Sequence, residues 1–246
     1  FDEAIAEFQR TMELDPKHAG AHSNLGTVLK EQGKLEEAIA EHRKALELDP
    51  NLARAHHNLG IALLNRDEVG EGIQELRKAA ALAPAMHEPH WILAEVLSDR
   101  GDFAAALPAA RRALETNDDC TKAAELLKRI LRCDEKLDGD EVAKLAAAAE
   151  RALQERPGQA GSLRPILALA LLRESPARDV AKALEHATLA VQESARREPA
   201  ALEVLARAQA GRGGQGRRAD DGAGGEPSGR RDRAPKDARG LPSGHP

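Results

Sequence analysis

The fold class this sequence predicts is all-α, a solenoid of stacked antiparallel helix pairs, and three observations predict it. The stretch AHSNLG at Ala21–Gly26 returns 34 residues later as AHHNLG at Ala55–Gly60, and such a period marks proteins built by stacking one supersecondary unit. The 246-residue chain has no Tyr, one Trp and three Phe, with Ala and Leu supplying most of its apolar residues; that composition favours helix over sheet. Within each period the apolar residues recur at the i, i+3, i+4 spacing of an amphipathic helix.

Taking Ala19 as position 1, the first full unit places His22, Leu25, Gly26 and Leu29 at positions 4, 7, 8 and 11, then Ala38, Ala45 and Pro50 at 20, 27 and 32. The second, from Ala53, repeats this with His56, Leu59, Gly60 and Leu63, then Gly72, Leu76, Ala79 and Pro84. The third, from His87, carries His90, Leu93, Ala94 and Leu97, then Ala106, Ala110 and Ala113, with Asp118 where the last proline would stand. The small residues at positions 8 and 20 let the two helices of a unit cross closely. Gly33 and Gly101 mark the turn between them, and Asp49-Pro50 stops a second helix.

Residues 1–18 read as the second helix of a truncated unit, 19–120 as three regular units, and 121–212 as divergent helix pairs. The divergent part predicts helices at 121–132 and 141–155 closed by Pro157, a pair at about 162–173 and 180–194, and a first helix at 199–212. An insertion is expected near 134–140. Pro108 is expected to kink its helix or delay its start. From Gly213 the chain is Gly, Arg, Asp, Pro, Ala and Ser with one large aliphatic residue, Leu241; such a segment is expected to be disordered. Two origins fit it, a natural tail or a shift into another reading frame of the gene. The start at Phe1 inside a helix predicts a fragment of a longer product.

These units resemble the tetratricopeptide repeat, whose 34-residue pattern runs W-x2-L-G-x2-Y, then A-x3-F, then P. The resemblance implies a right-handed superhelix whose first helices line a concave groove, with positions 2, 5, 6, 9, 12 and 13 touching ligand. Carried over, it implies peptide binding by Ser23, Asn24, Thr27 and Lys30 in the first unit. In the second it implies Arg54, His57, Asn58, Ile61 and Asn65, and in the third Trp91 and Glu95. The Lys and Asn of carboxylate-clamping co-chaperone repeats are replaced at positions 5 and 9 by Ser23/Thr27 and His57/Ile61. The run AHSNLGTVLKEQGKLEEAI is similar to repeats of protein O-N-acetylglucosaminyltransferase superhelices, where Asn at position 6 holds peptide backbone; Asn24 and Asn58 match and Ile92 does not.

Other chemistries are weaker. A net charge of −5 disfavours general nucleic-acid binding, and no apolar run reaches the length of a membrane span. His22, His56 and His90 recur on successive units and so point in parallel, which leaves no convergent zinc site; they are expected to fill the position usually given to Trp. The acidic loop Asp134–Glu141 lacks calcium-loop spacing, and Asp140 is expected to cap the next helix. Cys120 and Cys133 fit no metal or disulfide framework and suggest reduced thiols in a cytoplasmic protein. No nucleophile elbow, phosphate loop or HExxH is present. The expectation is a non-enzymatic scaffold, without cofactor or metal, that binds an extended segment of another protein. Its rivals are the substrate-recruiting arm of a larger glycosyltransferase or kinase, and a self-associating spacer.

Overall fold

The computed structural model describes residues 1–116, 121–133, 136–173, 175, 178–193 and 202–210. Asp118, Cys120 and the segment from residue 211 onward, and with them the expectations placed there, lie outside the described residues. The described residues form helices joined by short turns, without a strand. In order they are α1 (Asp2–Leu14), α2 (Ala19–Glu31), α3 (Leu35–Leu48), α4 (Ala53–Asn65), α5 (Val69–Leu82), α6 (His87–Asp99), α7 (Phe103–Thr116), α8 (Thr121–Cys133), α9 (Gly139–Glu155), α10 (Ala160–Leu172) and α11 (Val180–Glu193). A single 3-10 turn, Pro157–Gln159, leads into α10, and residues 202–210 are again helical.

α2/α3, α4/α5, α6/α7 and α10/α11 are antiparallel hairpins; α3 packs on α4, α5 on α6 and α7 on α8, and the first helices meet one another directly at α2/α4, α6/α8 and α8/α10. The three regular hairpins close through the small residues at positions 8 and 20. A Cβ on Gly60 would stand 2.7 Å from Leu76 Cγ and 3.1 Å from the Gly72 carbonyl oxygen, and one on Gly72 would stand 3.0 Å from the Gly60 carbonyl oxygen. These two backbones are in contact, and no larger residue fits without parting them. In the preceding unit Gly26 lies flat beneath the His42 ring, and in the following one Ala94 and Ala106 are wholly buried.

The turns need a left-handed residue at position 15. Gly33 and Gly101 supply it with φ of 78° and 77°, whereas the middle unit uses Asp67 at 65°. Pro108 does not delay α7, which starts at Phe103 with the Asp102 carboxylate accepting from the Ala105 N–H at 3.1 Å. α9 starts at Gly139, and its cap is Asp138, whose carboxylate accepts from the Asp140 N–H at 3.0 Å. Asp140 is thereby drawn into the first turn, where its charge suits the helix dipole.

The divergence after residue 120 has a physical cause. In the fourth unit position 8 is Lys128, and counting back from Pro157 makes position 20 Leu145; both side chains are fully enclosed. Two long side chains cannot share a crossing built for two small ones. α8 and α9 accordingly scarcely meet, and α9 instead lies beside α7 and under α10. α10 is covered by α8, α9 and α11, which is why ILALALL, at 166–172, carries apolar residues all round. Val204 and Ala208 are buried against the same core, and Leu205 packs on Ala190 and Val191.

Gly60→Ala is expected to lower the urea midpoint, by roughly 1–3 kcal/mol for overpacking, even though Ala is intrinsically favoured over Gly in a helix by about 1 kcal/mol. Asp67→Gly is expected to raise it, by up to about 1 kcal/mol, by removing a left-handed non-glycine residue. A midpoint that rises for Gly60→Ala would refute the crossing as described.

Candidate functional site in the row of first helices

Position 4 of each of the three regular units is a histidine that ties helices together. His22 Nδ1 meets Glu41 Oε2 of α3 at 2.7 Å, and His56 Nδ1 meets Glu75 Oε2 of α5 at 2.5 Å. His56 Nε2 also meets the Pro50 carbonyl oxygen at 2.9 Å, as His90 Nε2 meets that of Pro84 at 3.3 Å. Burial pushes Glu75 up, but Lys78 and His56 outweigh it and hold the carboxyl below its ordinary range. These rings therefore brace the first helix against its own hairpin partner and against the end of the preceding unit. Among the described residues no group of three His, Cys, Asp or Glu is arranged to hold a metal ion.

The groove candidates divide by depth. Asn24, Arg54, Asn65 and Glu95 are exposed, and Thr27, Lys30, Ile61 and Trp91 are half-buried. Ser23 and His57, expected on the groove surface, are buried at 2% and 8% exposure, with the Ser23 hydroxyl and His57 Nδ1 unpartnered. Position 5 falls on the seam between successive first helices, so a small or medium side chain there is covered by its neighbour. Burial lowers the His57 pKa; Glu88 opposes the shift, while Lys30 and Arg54 add to it. Trp91, at the same position in the third unit, is large enough to remain partly in the groove, and His90 rather than Trp91 is the buried one.

Asn58 is committed to its neighbour: its Nδ2 donates to Thr27 Oγ1 at 3.0 Å, and that hydroxyl donates to the Ser23 carbonyl at 3.1 Å. This chain joins position 6 of one unit to positions 9 and 5 of the unit before. Two junctions along, Arg129 Nη2 donates to Ser98 Oγ at 2.9 Å and Asp99 Oδ1 at 2.8 Å. Both are stacking bonds made by residues that also face the groove.

A concavity of about 520 Å³ in this row lies between α6 and α8. Trp91 and Leu126 give it apolar wall; Glu95, Lys122, Glu125 and Arg129 surround them, with Arg132 and Cys133 at one end. Arg132 is ion-paired with Glu203 at 3.2 Å. The α8 residues were missed as candidates, although Lys122, Glu125, Leu126, Arg129, Arg132 and Cys133 are positions 2, 5, 6, 9, 12 and 13 of the fourth unit. Counting from Thr121 would have found them, because the insertion falls after α8.

A solenoid of helical hairpins with its first helices in one row defines a helical-repeat protein. Family models described as tetratricopeptide repeat match residues 7–40, 26–67 and 57–119, and this stretch of the chain consists of tetratricopeptide repeats. The fold is similar to that of YrrB, a tetratricopeptide-repeat protein described as having an unusual peptide-binding site, at 23% identity and a TM-score of 0.52, covering 80% of this chain and 96% of that one. It is also similar to MamA, at 23% identity and a TM-score of 0.51, covering 64% and 91%. At these identities the likeness is one of fold. A search of curated protein sequences returns no match. No described helix is long and apolar enough to cross a membrane.

One buried histidine makes the stack sensitive to acid. His42 is fully enclosed over Gly26, neither ring nitrogen has a partner, and burial, with Lys30 adding to it, lowers its pKa to about 4. Folded His42 stays neutral where the unfolded chain takes up a proton, so stability is lost as pH falls from 6.5 towards 4, by up to about 3 kcal/mol. His42→Leu copies Leu76, which packs over Gly60 in the next unit. The variant is expected to be the more stable one, by a margin that widens between pH 7 and 4.5 in urea titrations; a margin independent of pH would refute this.

Proposed function

We propose that the chain is a non-catalytic scaffold that holds an extended segment of another protein along its first helices, with the cavity between α6 and α8 taking one anchoring side chain. The observation that carries the reading is that cavity. It combines an indole with a leucine inside a charged rim, the make-up of an interface hot spot, at the groove positions of two consecutive tetratricopeptide units. Such arrays act as protein-interaction surfaces because each added unit extends area without deepening the core, and the similarly folded YrrB is described as having a peptide-binding site.

The anchor is an aliphatic or aromatic residue, seated against Trp91 and Leu126. Asn24 and Asn65, whose amides are exposed, serve the backbone of the bound segment, since each offers a donor and an acceptor. Asn58 contributes mainly to stacking, and Ser23 and His57 act from beneath the surface. The reading includes a cytoplasmic scaffold, a reducing setting that suits the free, exposed Cys133.

Trp91 is the only tryptophan in the chain, so its fluorescence reports on this cavity alone. Peptides selected from a displayed random library against the full chain are expected to shift that emission and to bind Trp91→Ala about tenfold or more weakly. A smaller loss is expected for Asn24→Ala/Asn65→Ala. Selected peptides that leave the emission unmoved and bind Trp91→Ala as tightly as the parent would remove the groove reading.

A further inference from the structure

On the opposite side of the same junction, α9 lies directly against α7, the one place among the described helices where second helices of successive units pack extensively. Between them is a cavity of about 430 Å³ lined by Arg111, Arg112, Glu115, Arg151, Glu155 and Arg156 over a floor of Ala148 and Ala152. Glu115 is its hub. Arg111 Nη1 and Arg151 Nη2 approach one carboxylate oxygen at 3.0 and 3.4 Å, and Arg112 Nη1 approaches the other at 3.1 Å.

One carboxylate cannot serve three guanidiniums. Each guanidinium carries five N–H donors, and a carboxylate offers about four acceptor sites. Arg111 Nε is buried without a partner. Its second contact, Glu141 at 3.4 Å, is itself neutralised by Lys144 at 2.6 Å. Arg156 Nη2 donates to the Leu114 carbonyl at 3.1 Å, which holds its charge at the cavity edge. The lining thus has four arginines against two glutamates, a surplus of two positive charges on a chain whose net charge is −5. Arg112 and Arg151 are 57% and 67% exposed at the side chain, so their heads can turn onto a ligand without unpacking either helix.

We propose that this cavity binds a phosphoryl dianion, as inorganic phosphate or as a phosphorylated side chain of a partner. Its three terminal oxygens and charge near −2 match the excess donors and the surplus charge. A single carboxylate supplies half that charge and fewer acceptors. A nucleic-acid backbone would need a run of such sites, but of the four cations at the equivalent positions of α3 and α5, Arg43, Lys44 and Lys78 are paired with Glu71, Glu47 and Glu75.

The test titrates the full chain at fixed ionic strength with inorganic phosphate, and separately with a capped Gly-phosphoserine-Gly peptide, by calorimetry. Saturable binding is expected. Arg112→Gln/Arg151→Gln should weaken it by about tenfold or more, since two charge-assisted bonds are lost. Glu155→Gln, which removes an exposed like charge, should tighten it by about two- to threefold. Unchanged thermal unfolding of both variants establishes that the fold is intact. Tighter binding of the peptide than of phosphate identifies a phosphorylated segment as the ligand; equal or weaker binding identifies the free anion. Absence of saturable binding to either probe, equal binding by the double arginine variant, or weaker binding by Glu155→Gln overturns the proposal. None of these readouts involves Trp91, so the groove reading stands or falls separately.

Discussion

Everything in this molecule hangs on how closely two helices of one unit can cross. Where positions 8 and 20 are both glycine, as at Gly60 and Gly72, the backbones touch and the hairpin is tight. Dispersion energy falls steeply with even a sub-ångström gap, so this contact decides where the rest of both helices lies. Substituting Lys128 and Leu145 at the same crossing leaves every residue helical and moves only the relation between helices. α9 then finds its packing on α7 and α10. The cost includes an enclosed ammonium group, offset by its pairing with Glu125; a buried charge without such a partner would cost several kcal/mol.

The bonds between units form a second layer of specification. A solenoid is stabilised by each unit and by its contact with the next, and here those contacts carry polar links of defined register. Asn58 reaches back to Thr27, Arg129 to Ser98 and Asp99, and Arg66 to Glu36 at 2.5 Å. A side chain that holds two units in register has less freedom to reorganise around a ligand. In this groove, the residues free to bind are therefore the ones with no neighbour to hold.

The helices, their order and the small pairs at the crossings were legible in the sequence because they depend on local spacing alone. Asn24 and Trp91, which the repeat resemblance named for the groove, are exposed and half-buried. Ser23 and His57 are buried instead, since position 5 lies on the seam between units, and exposure there depends on how far the next helix stands away. The α8 wall was written at the same positions as its predecessors, yet the loosened period hid it; the insertion had not shifted the first helix at all. The cap of α9 moved from Asp140 to Asp138 because a glycine between two aspartates can join the helix as readily as end the turn. Least legible was the contact of α7 with α9. No local pattern encodes it, because it arises from what Lys128 and Leu145 prevent.

The same prevention accounts for both cavities. With α8 drawn off α9, Trp91 and Leu126 face each other across α6 and α8, while Glu115 and Arg151 face each other across α7 and α9. The two concavities belong to one junction, whose buried core includes Leu107, Leu114, Leu127 and Leu145. In the regular units, where the hairpin is closed, convex charges pair one to one, within a helix as Lys44 with Glu47 and Lys78 with Glu75, or between units as Arg43 with Glu71. At the open junction Glu115 is left to hold arginines from two units at once. An irregular crossing is thus a means by which a repeat array of near-identical units acquires one junction whose surface chemistry differs from the rest.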